Sequence, residues 1–150
     1  MGGNDELERS GNWKFDFTKL FQISRKLDPK NPVVPVIVQD VNTKDVLILA
    51  YANRQALETT FETGMATFWS TSRNELWIKG KSSGDVLKIK DVRVNCEQNS
   101  LLYLVEPVKG GACHVLDKNG KSMTTCYYRR VTRDGASKDF KLETVPGFNI

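Results

Sequence analysis

The hydrophobic and polar positions along this chain change in short blocks, which predicts more strands than helices. Two pairs of apolar segments, each joined by a short polar turn, are typical of β-hairpins; they span residues 33–38 with 46–51, and 66–72 with 76–79. Further strands are predicted at residues 86–94, 101–105 and 127–131. Pro35 places the start of the first strand toward a sheet edge.

Two segments show helical spacing. Asn53 can cap a helix that ends near Thr63, and Gly64 follows where a left-handed residue belongs. The apolar face of this helix would consist of Ala56, Leu57 and Phe61. The later part of residues 13–27 suits a short amphipathic helix packed on the domain. Together the elements predict a small single α+β domain, with a mainly antiparallel twisted sheet and one or two short helices.

The length and composition favour one globular domain in a reducing compartment. The chain has 150 residues, 39% hydrophobic and 27% charged, as in soluble globular proteins. The sequence predicts a disordered tail over residues 1–12, the domain over residues 13–135 and a C-terminal extension over residues 136–150. No apolar run approaches the roughly 20 residues that cross a bilayer, and the N-terminus lacks the apolar segment of a secretory signal. We therefore expect a cytoplasmic protein without a membrane partner.

The charge argues against a nucleic-acid partner. The net charge is +4, and the densest basic segment, Arg129 to Arg133, is too short for a nucleic-acid-binding stripe. A phosphorylated small molecule would suit a modest cationic surplus equally well. Most of the charges are expected to be solvated surface.

The cysteines carry the first candidate chemistry. Cys96, Cys113 and Cys126 are the three cysteines of the chain, and His114, its single histidine, follows Cys113 directly. In a reducing compartment such a set indicates metal more often than disulfides. Zinc with three protein ligands keeps a position for water, whose pKa it lowers to roughly 7, and an adjacent histidine can move the proton. The alternative is that these cysteines are small buried apolar residues.

The segment from Phe68 to Gly84 carries groups that suit a phosphorylated ligand. Its hydroxyls, cations and glycines can surround phosphate oxygens; they are Ser70, Ser72, Ser82, Ser83, Arg73, Lys79, Lys81, Gly80 and Gly84. Trp69 and Trp77 could stack on a purine, although filling the core is the commoner role of a tryptophan. The alternative for the polar set is an ordinary hairpin loop.

The same segment resembles the "WSRSR…LWxKGxTSG" signature of the phosphoribosyl-AMP cyclohydrolase family of histidine biosynthesis. The resemblance continues on both sides, from about residue 33 to 130. Upstream, residues 37–40 and 49–53 resemble the family's "IVQD" and "LAYMN". Downstream, residues 112–114 and 126–129 resemble "ACHT" and "CFYR".

The resemblance implies an activity, metals and an assembly. Family enzymes hydrolyse the N1–C6 bond of the adenine ring of phosphoribosyl-AMP. Cys96, Cys113 and Cys126 match the family's zinc ligands, which come from both chains of an intertwined homodimer, and His114 would be catalytic. The substrate-binding set implied is Trp69, Ser70, Ser72, Arg73, Trp77, Lys79, Gly80, Ser82, Ser83 and Gly84.

The chain departs from the family around its first cysteine. Where the family has an Asp-Cys-Asp-x-Asp pattern that holds magnesium, this chain has Asn95, Glu97 and Asn99 around Cys96. Magnesium prefers anionic oxygen ligands in tight octahedral geometry. The sequence therefore predicts a weakened magnesium site and retained zinc.

Other departures lie on the substrate side. Thr71 replaces an arginine, Asp85 and Leu87 replace polar residues, and Cys113 and Cys126 lie thirteen positions apart where the family has seven. Residues 116–121 form the extra loop, and Asn119-Gly120 predicts a turn that leaves the cysteines in place. Three functions stay open: the family's cyclohydrolase, a divergent zinc hydrolase of a related purine or nucleotide-like ring, and a non-catalytic zinc-stabilised dimeric binding protein.

Overall fold

The computed structural model describes residues 4–150. In this range the helices are α1 (Asp5–Glu8), α2 (Lys19–Lys26) and α3 (Arg54–Thr63). The strands are β1 (Val34–Asp40), β2 (Val46–Ala52), β3 (Thr67–Ser70), β4 (Glu75–Ile78), β5 (Leu87–Val94), β6 (Leu101–Pro107), β7 (Arg129–Arg133) and β8 (Phe140–Thr144). Every strand predicted from the sequence forms, with small shifts at its ends, whereas β8 was not predicted.

The central sheet has four strands in the order β2-β1-β6-β5. The hairpins β1–β2 and β5–β6 are antiparallel. They join through β1 and β6, which run parallel with Val36 opposite Leu101. The prediction of a small α+β domain with mostly antiparallel strands is confirmed, and the parallel pair is the one feature of this sheet that hairpin patterns do not reveal.

Helix α3 begins and ends as its sequence predicts. The Asn53 side-chain oxygen accepts a hydrogen bond from the Ala56 N–H at 2.9 Å, and Gly64 takes the left-handed conformation with φ 73°. The buried face is Ala56 and Thr60, with Leu57 partly buried. Phe61 was predicted on this face, but it is 67% exposed, because Thr60, one residue earlier, is the side chain that faces the sheet.

The core lies between the central sheet, α3 and the β3–β4 hairpin. Phe68 of β3 stacks on Tyr103 of β6 with ring centroids 5.6 Å apart, and both are fully buried with Val36 and Val38 of β1. The hairpin turns at Arg73-Asn74, as predicted, with Asn74 at φ 54°. This packing fixes the hairpin against the sheet, so the loop that follows β4 has a defined position.

A second small sheet, β7–β8, holds the chain's N-terminal segment. The prediction that residues 1–12 form a disordered tail is wrong for residues 4–12, and residues 1–3 lie outside the described range. Asn12 bridges to Lys141 of β8, and the Leu142 N–H donates to the Gly11 carbonyl at 2.9 Å. Polar composition suggested disorder, but pairing with β8, about 130 positions away, supplies the missing partners.

Helix α2 forms where the sequence predicts it but does not pack on the domain. It has no buried residue, and Leu20 and Phe21 are 65% and 60% exposed. Trp13, Phe15 and Phe17 precede it and contact one another, and Trp13 reaches Phe140 of β8. Across residues 4–150, no helix is long and apolar enough to cross a membrane.

Candidate active site

A cavity of about 770 Å³ opens between β2, the β3–β4 hairpin and the segment that contains Cys113 and Cys126. It is the meeting place of chemistry-bearing side chains from distant parts of the sequence. Those that line it are Arg73, Trp77, Lys79, Lys81, Ser82, Ser83, Asp85, Cys113, His114, Ser122, Cys126 and Tyr127. Its size suits a nucleotide-sized ligand.

Backbone hydrogen bonds place the two cysteines of this cavity. The Cys113 N–H donates to the Met123 carbonyl at 3.1 Å, and the Cys126 N–H donates to the Leu47 carbonyl of β2 at 2.8 Å. The predicted turn lies between them. Asp117 Oδ1 accepts from the N–H groups of Asn119 and Lys121, and Leu116 bridges to Ser122. The inserted residues therefore fold back on themselves, and the thirteen-residue spacing still brings the cysteines together.

The thiols of Cys113 and Cys126 differ in their pKa values. The hydrogen bond from Cys126 is the main cause that lowers the pKa of Cys113 to about 6; the Val115 N–H assists, and burial opposes it. The same hydrogen bond, with burial, raises the pKa of Cys126. At neutral pH the pair therefore carries about one negative charge on sulfur. A thiolate is the form of cysteine that binds metals.

Lys79 is the buried cation of this cavity. It is 8% exposed, and its Nζ donates to the Asp85 carbonyl at 3.4 Å. Burial lowers the pKa of Lys79, while the charges of Asp85, Cys126 and Cys113 act in the opposite direction. Lys79 and the cysteine thiolate therefore stabilise each other's charged forms in a part of the cavity that is shielded from water.

Gly80 and Asp85 both line the cavity and lie in close contact with each other. Gly80 has φ 79°, and a Cβ there would overlap the Asp85 backbone, so a side chain cannot be accommodated. The Ser122 hydroxyl donates to Asp85 Oδ2 at 2.9 Å. The acidic residue that replaces a polar family residue thus holds the inserted loop against the hairpin.

His114 lies at the rim with its side chain 78% exposed, and its Nε2 is 3.0 Å from Glu8 Oε1. This contact joins the cavity to helix α1, 106 positions earlier in the chain. The imidazole is thus held from one side and open on the other.

Cys96 lies elsewhere, exposed in the turn between β5 and β6. Cys126 is hydrogen-bonded to β2, which lies at the edge of the sheet opposite to β5. Three strand spacings, roughly 14 Å, separate these two strands. Two sulfurs bound to one zinc ion are at most about 4.6 Å apart. Consistently, the described residues contain no group of three His, Cys, Asp or Glu side chains placed to hold a metal ion. A single chain thus does not bring its three cysteines together.

Comparisons with known proteins decide the family. The phosphoribosyl-AMP cyclohydrolase family model matches residues 48–128, more than half of the chain. The chain belongs to the phosphoribosyl-AMP cyclohydrolase family. A phosphoribosyl-AMP cyclohydrolase of Archaeoglobus fulgidus is 48% identical over 102 residues, 68% of this chain and 88% of the relative. One of Cenarchaeum symbiosum is 54% identical over 87 residues, 58% of this chain and 80% of the relative.

A histidine biosynthesis bifunctional protein of Aquifex aeolicus is also similar, at 39% identity over 114 residues. That match covers 76% of this chain and 53% of the relative. The Archaeoglobus and Cenarchaeum relatives are named as cyclohydrolases, which are hydrolases, and this family member is an enzyme of that class. The matched range 48–128 contains all three cysteines, His114 and the β3–β4 hairpin with its loop.

The structure of this cyclohydrolase family member brings together only part of the predicted substrate set. Six of its residues line the cavity, namely Arg73, Trp77, Lys79, Gly80, Ser82 and Ser83. Trp69 is buried, and its Nε1 donates to the Asn74 side chain at 3.2 Å. Ser70 and Ser72 contact each other at 3.3 Å within the hairpin turn. Those three residues shape the hairpin, and Gly84 lies near Lys109 with φ 86°.

Sequence reasoning missed Ser122 and Tyr127, which line this cavity, and Glu8, which contacts the lining residue His114. Tyr127 follows a predicted ligand, so adjacency to Cys126 was a usable signal. Ser122 lies just after the inserted residues, where a polar loop gives no hint of its partner. Glu8 had no signal at all, because its segment looked like a polar tail.

Proposed function

We propose that this chain is a phosphoribosyl-AMP cyclohydrolase, which hydrolyses the N1–C6 bond of the adenine ring of phosphoribosyl-AMP during histidine biosynthesis. Family membership supports this activity. The observation that carries it is the cavity that unites a thiolate–thiol pair, a buried lysine and the rim histidine. A purely structural cysteine cluster would not need a nucleotide-sized opening beside it.

The chemistry of the donors fits zinc. The lowered pKa of Cys113 makes it a thiolate near neutral pH, and a bound cation would favour release of the Cys126 proton to solvent; thiolates are preferred zinc ligands. Cys96 would supply the third sulfur. Bound there with three protein ligands, zinc would supply a Lewis acid that lowers the pKa of a water molecule. Lys79 keeps the neighbouring charge balanced before the metal arrives.

We further propose that the enzyme is a homodimer with shared sites. Cys96 is exposed and too far from Cys113 and Cys126 of its own chain, so Cys96 of the partner subunit would complete each set. The sheet also has an apolar outward face, where Ile37 and Leu49 pair across β1 and β2 and are 41% and 47% exposed. Burying such a face is a usual driving force for association.

The loop after β4 would bind the phosphorylated part of the substrate. Arg73 and Lys81 supply fixed charge at the cavity, and Ser82 and Ser83 supply hydroxyl donors. Trp77, which is 41% exposed, offers a flat face to the purine. So bound, the adenine ring would have to place C6 toward Cys113 and Cys126, which line the same cavity.

His114 would carry protons during addition to C6 and ring opening. It lines the cavity and lies next to Cys113. Replacement by asparagine, His114→Asn, should lower kcat by about a hundredfold or more, the usual scale for a general acid–base group. Zinc content and dimerisation should not change. Normal turnover in this variant would exclude the role, and loss of zinc would make the histidine a ligand instead.

Magnesium fits the neighbouring loop poorly. The oxygen of Asn95 accepts from the N–H groups of Asn99 and Ser100, and its amide donates to Asn99 Oδ1 at 2.6 Å. Asn99 in turn donates to Glu97 at 3.2 Å. One carboxylate with two amides that satisfy each other is a weak donor set for this ion. We expect activity without a micromolar requirement for magnesium.

The deciding experiment is an assay of purified protein on phosphoribosyl-AMP, with zinc and magnesium titrated separately. Ring opening that depends on zinc supports the proposal. Turnover only of another purine nucleotide would favour a divergent zinc hydrolase, which the negative charge of Asp85 at the cavity would help to explain. Zinc binding without turnover of any nucleotide would favour a binding protein.

A further inference from the structure

Helix α1 is anchored on the segment that carries the two cavity cysteines. The Tyr128 hydroxyl donates to the Glu8 carbonyl at 2.9 Å. The Arg129 guanidinium donates to the carbonyls of Leu7, at 2.9 Å, and Ser10, at 3.1 Å. All of these bonds use backbone oxygens of the N-terminal segment, so its position does not depend on the Glu8 side chain.

This anchoring aims one carboxylate at the rim of the cavity. The Glu8 side chain is 18% exposed, and its Oε1 lies 3.0 Å from Nε2 of His114. Exposed ion pairs contribute little, because holding two free side chains together costs entropy. Here the carboxylate is already largely enclosed and its backbone is fixed, so that cost is small and the contact can direct the imidazole.

We propose that Glu8 is a positioning residue for His114, and this inference rests on the proton-carrying role proposed above. An ionised carboxylate only accepts hydrogen bonds, so Nε2 must hold the proton that it donates to Glu8. In the neutral ring this fixes the tautomer and leaves Nδ1 with the free lone pair. Nδ1 is therefore the nitrogen that exchanges protons with a molecule in the cavity.

The positioning residue, Glu8, belongs to the N-terminal segment of the chain. Helix α1 lies outside the matched range 48–128, while His114 lies within it. An element outside the matched domain thus sets the geometry of a residue inside it.

The tautomer can be measured directly because His114 is the single histidine of the sequence. Long-range proton–nitrogen NMR correlations, recorded on untagged protein at about pH 8, where an ordinary imidazole is neutral, report one ring. We expect the proton on Nε2 in the wild type. Glu8→Ala should give a mixture of tautomers. Glu8→Gln can present either its oxygen or its N–H groups to Nε2, so it should keep the contact but weaken the preference for one tautomer. A wild-type ring protonated on Nδ1, or an unchanged spectrum in Glu8→Ala, would overturn the proposal.

Steady-state kinetics on phosphoribosyl-AMP provide the second measurement. Glu8→Ala should lower kcat about tenfold, the lower end of the effect of losing a residue that orients a catalytic group, with KM unchanged. Glu8→Gln, which keeps the contact without fixing the tautomer, should give a kcat between those of Glu8→Ala and the wild type. Asp5→Ala is the matched control, since it removes an exposed carboxylate of the same helix that pairs with Arg9, and it should leave kcat and the tautomer unchanged.

The two measurements separate the possible failures. If Asp5→Ala lost as much kcat as Glu8→Ala, docking of the helix rather than the acceptor would be responsible, and the proposal would fall. A changed KM with unchanged kcat would likewise contradict it. If the wild type does not turn over phosphoribosyl-AMP, the proposed function fails, while the NMR comparison still decides whether Glu8 positions the ring.

Discussion

Two inactive variants should restore activity to each other when they are mixed, if the sites are shared between subunits. In the structure Cys113 and Cys126 line one cavity, whereas Cys96 lies across the sheet from them. Cys96→Ala should therefore remove one side of every site, and Cys113→Ala the other side. Each variant alone should bind no zinc and have no activity.

The size of the recovery follows from counting sites. A mixed dimer of the two variants has one site that lacks both cysteines and one site that is complete. Random reassociation of equal amounts of the two variants gives about half mixed dimers, and each mixed dimer has one complete site out of two. Activity and zinc content should therefore recover to about a quarter of the wild type.

The assay is co-refolding or co-expression of the two variants, followed by zinc analysis and turnover of phosphoribosyl-AMP. Mixing Cys113→Ala with Cys126→Ala is the control, because both residues belong to the same side of the site. No mixed dimer then contains a complete set, and recovery should be absent. Recovery in the control, or none in the Cys96→Ala mixture, would refute the shared arrangement.

Two further predictions concern the fold and the thiol pair. Asn53→Ala removes the side-chain cap of α3 and should lower the free energy of unfolding by about 1 kcal/mol in denaturant titrations; the control Gln55→Ala, at an exposed position of the same helix, should cost less than about 0.5 kcal/mol. In metal-free protein, the ultraviolet absorbance of the thiolate should rise near pH 6, the pKa of Cys113. In Cys126→Ala, which lacks the hydrogen bond to that thiol, the rise should occur at a higher pH. Because a free thiol has a pKa of roughly 8.5, stability should rise between these pH values; a flat profile would contradict this.

Local sequence signals predicted those parts of the fold that neighbouring residues determine. The cap at Asn53, the left-handed Gly64 and the turn at Arg73-Asn74 are interactions over a few positions, and the structure contains them. The parallel pairing of β1 with β6 depends on chain segments far apart, and no local pattern encodes it. The exposed Phe61 shows the same limit, because the choice between it and Thr60 is made by the sheet.

The candidate site divides in the same way. Adjacent residues such as Cys113 and His114 could be predicted as a unit, and the structure places both at one cavity. The position of Cys96 depends on which strands form the sheet edges, which the sequence pattern alone does not state. Glu8 could not be predicted because its partner lies 106 positions away and its own segment is short and polar.

The parallel pairing of β1 with β6 has a consequence for the order of folding. Val38 meets Ile48 ten positions away in its hairpin, whereas Val36 meets Leu101 sixty-five positions away. Closing the longer loop costs about 1.7 kcal/mol more in chain entropy. The hairpins should therefore form first, and their docking through β1 and β6 should limit the folding rate. Since Cys126 hydrogen-bonds to β2 across a still longer separation, the two cavity cysteines should come together after the hairpins have docked, and a metal ion can meet both sulfurs only then.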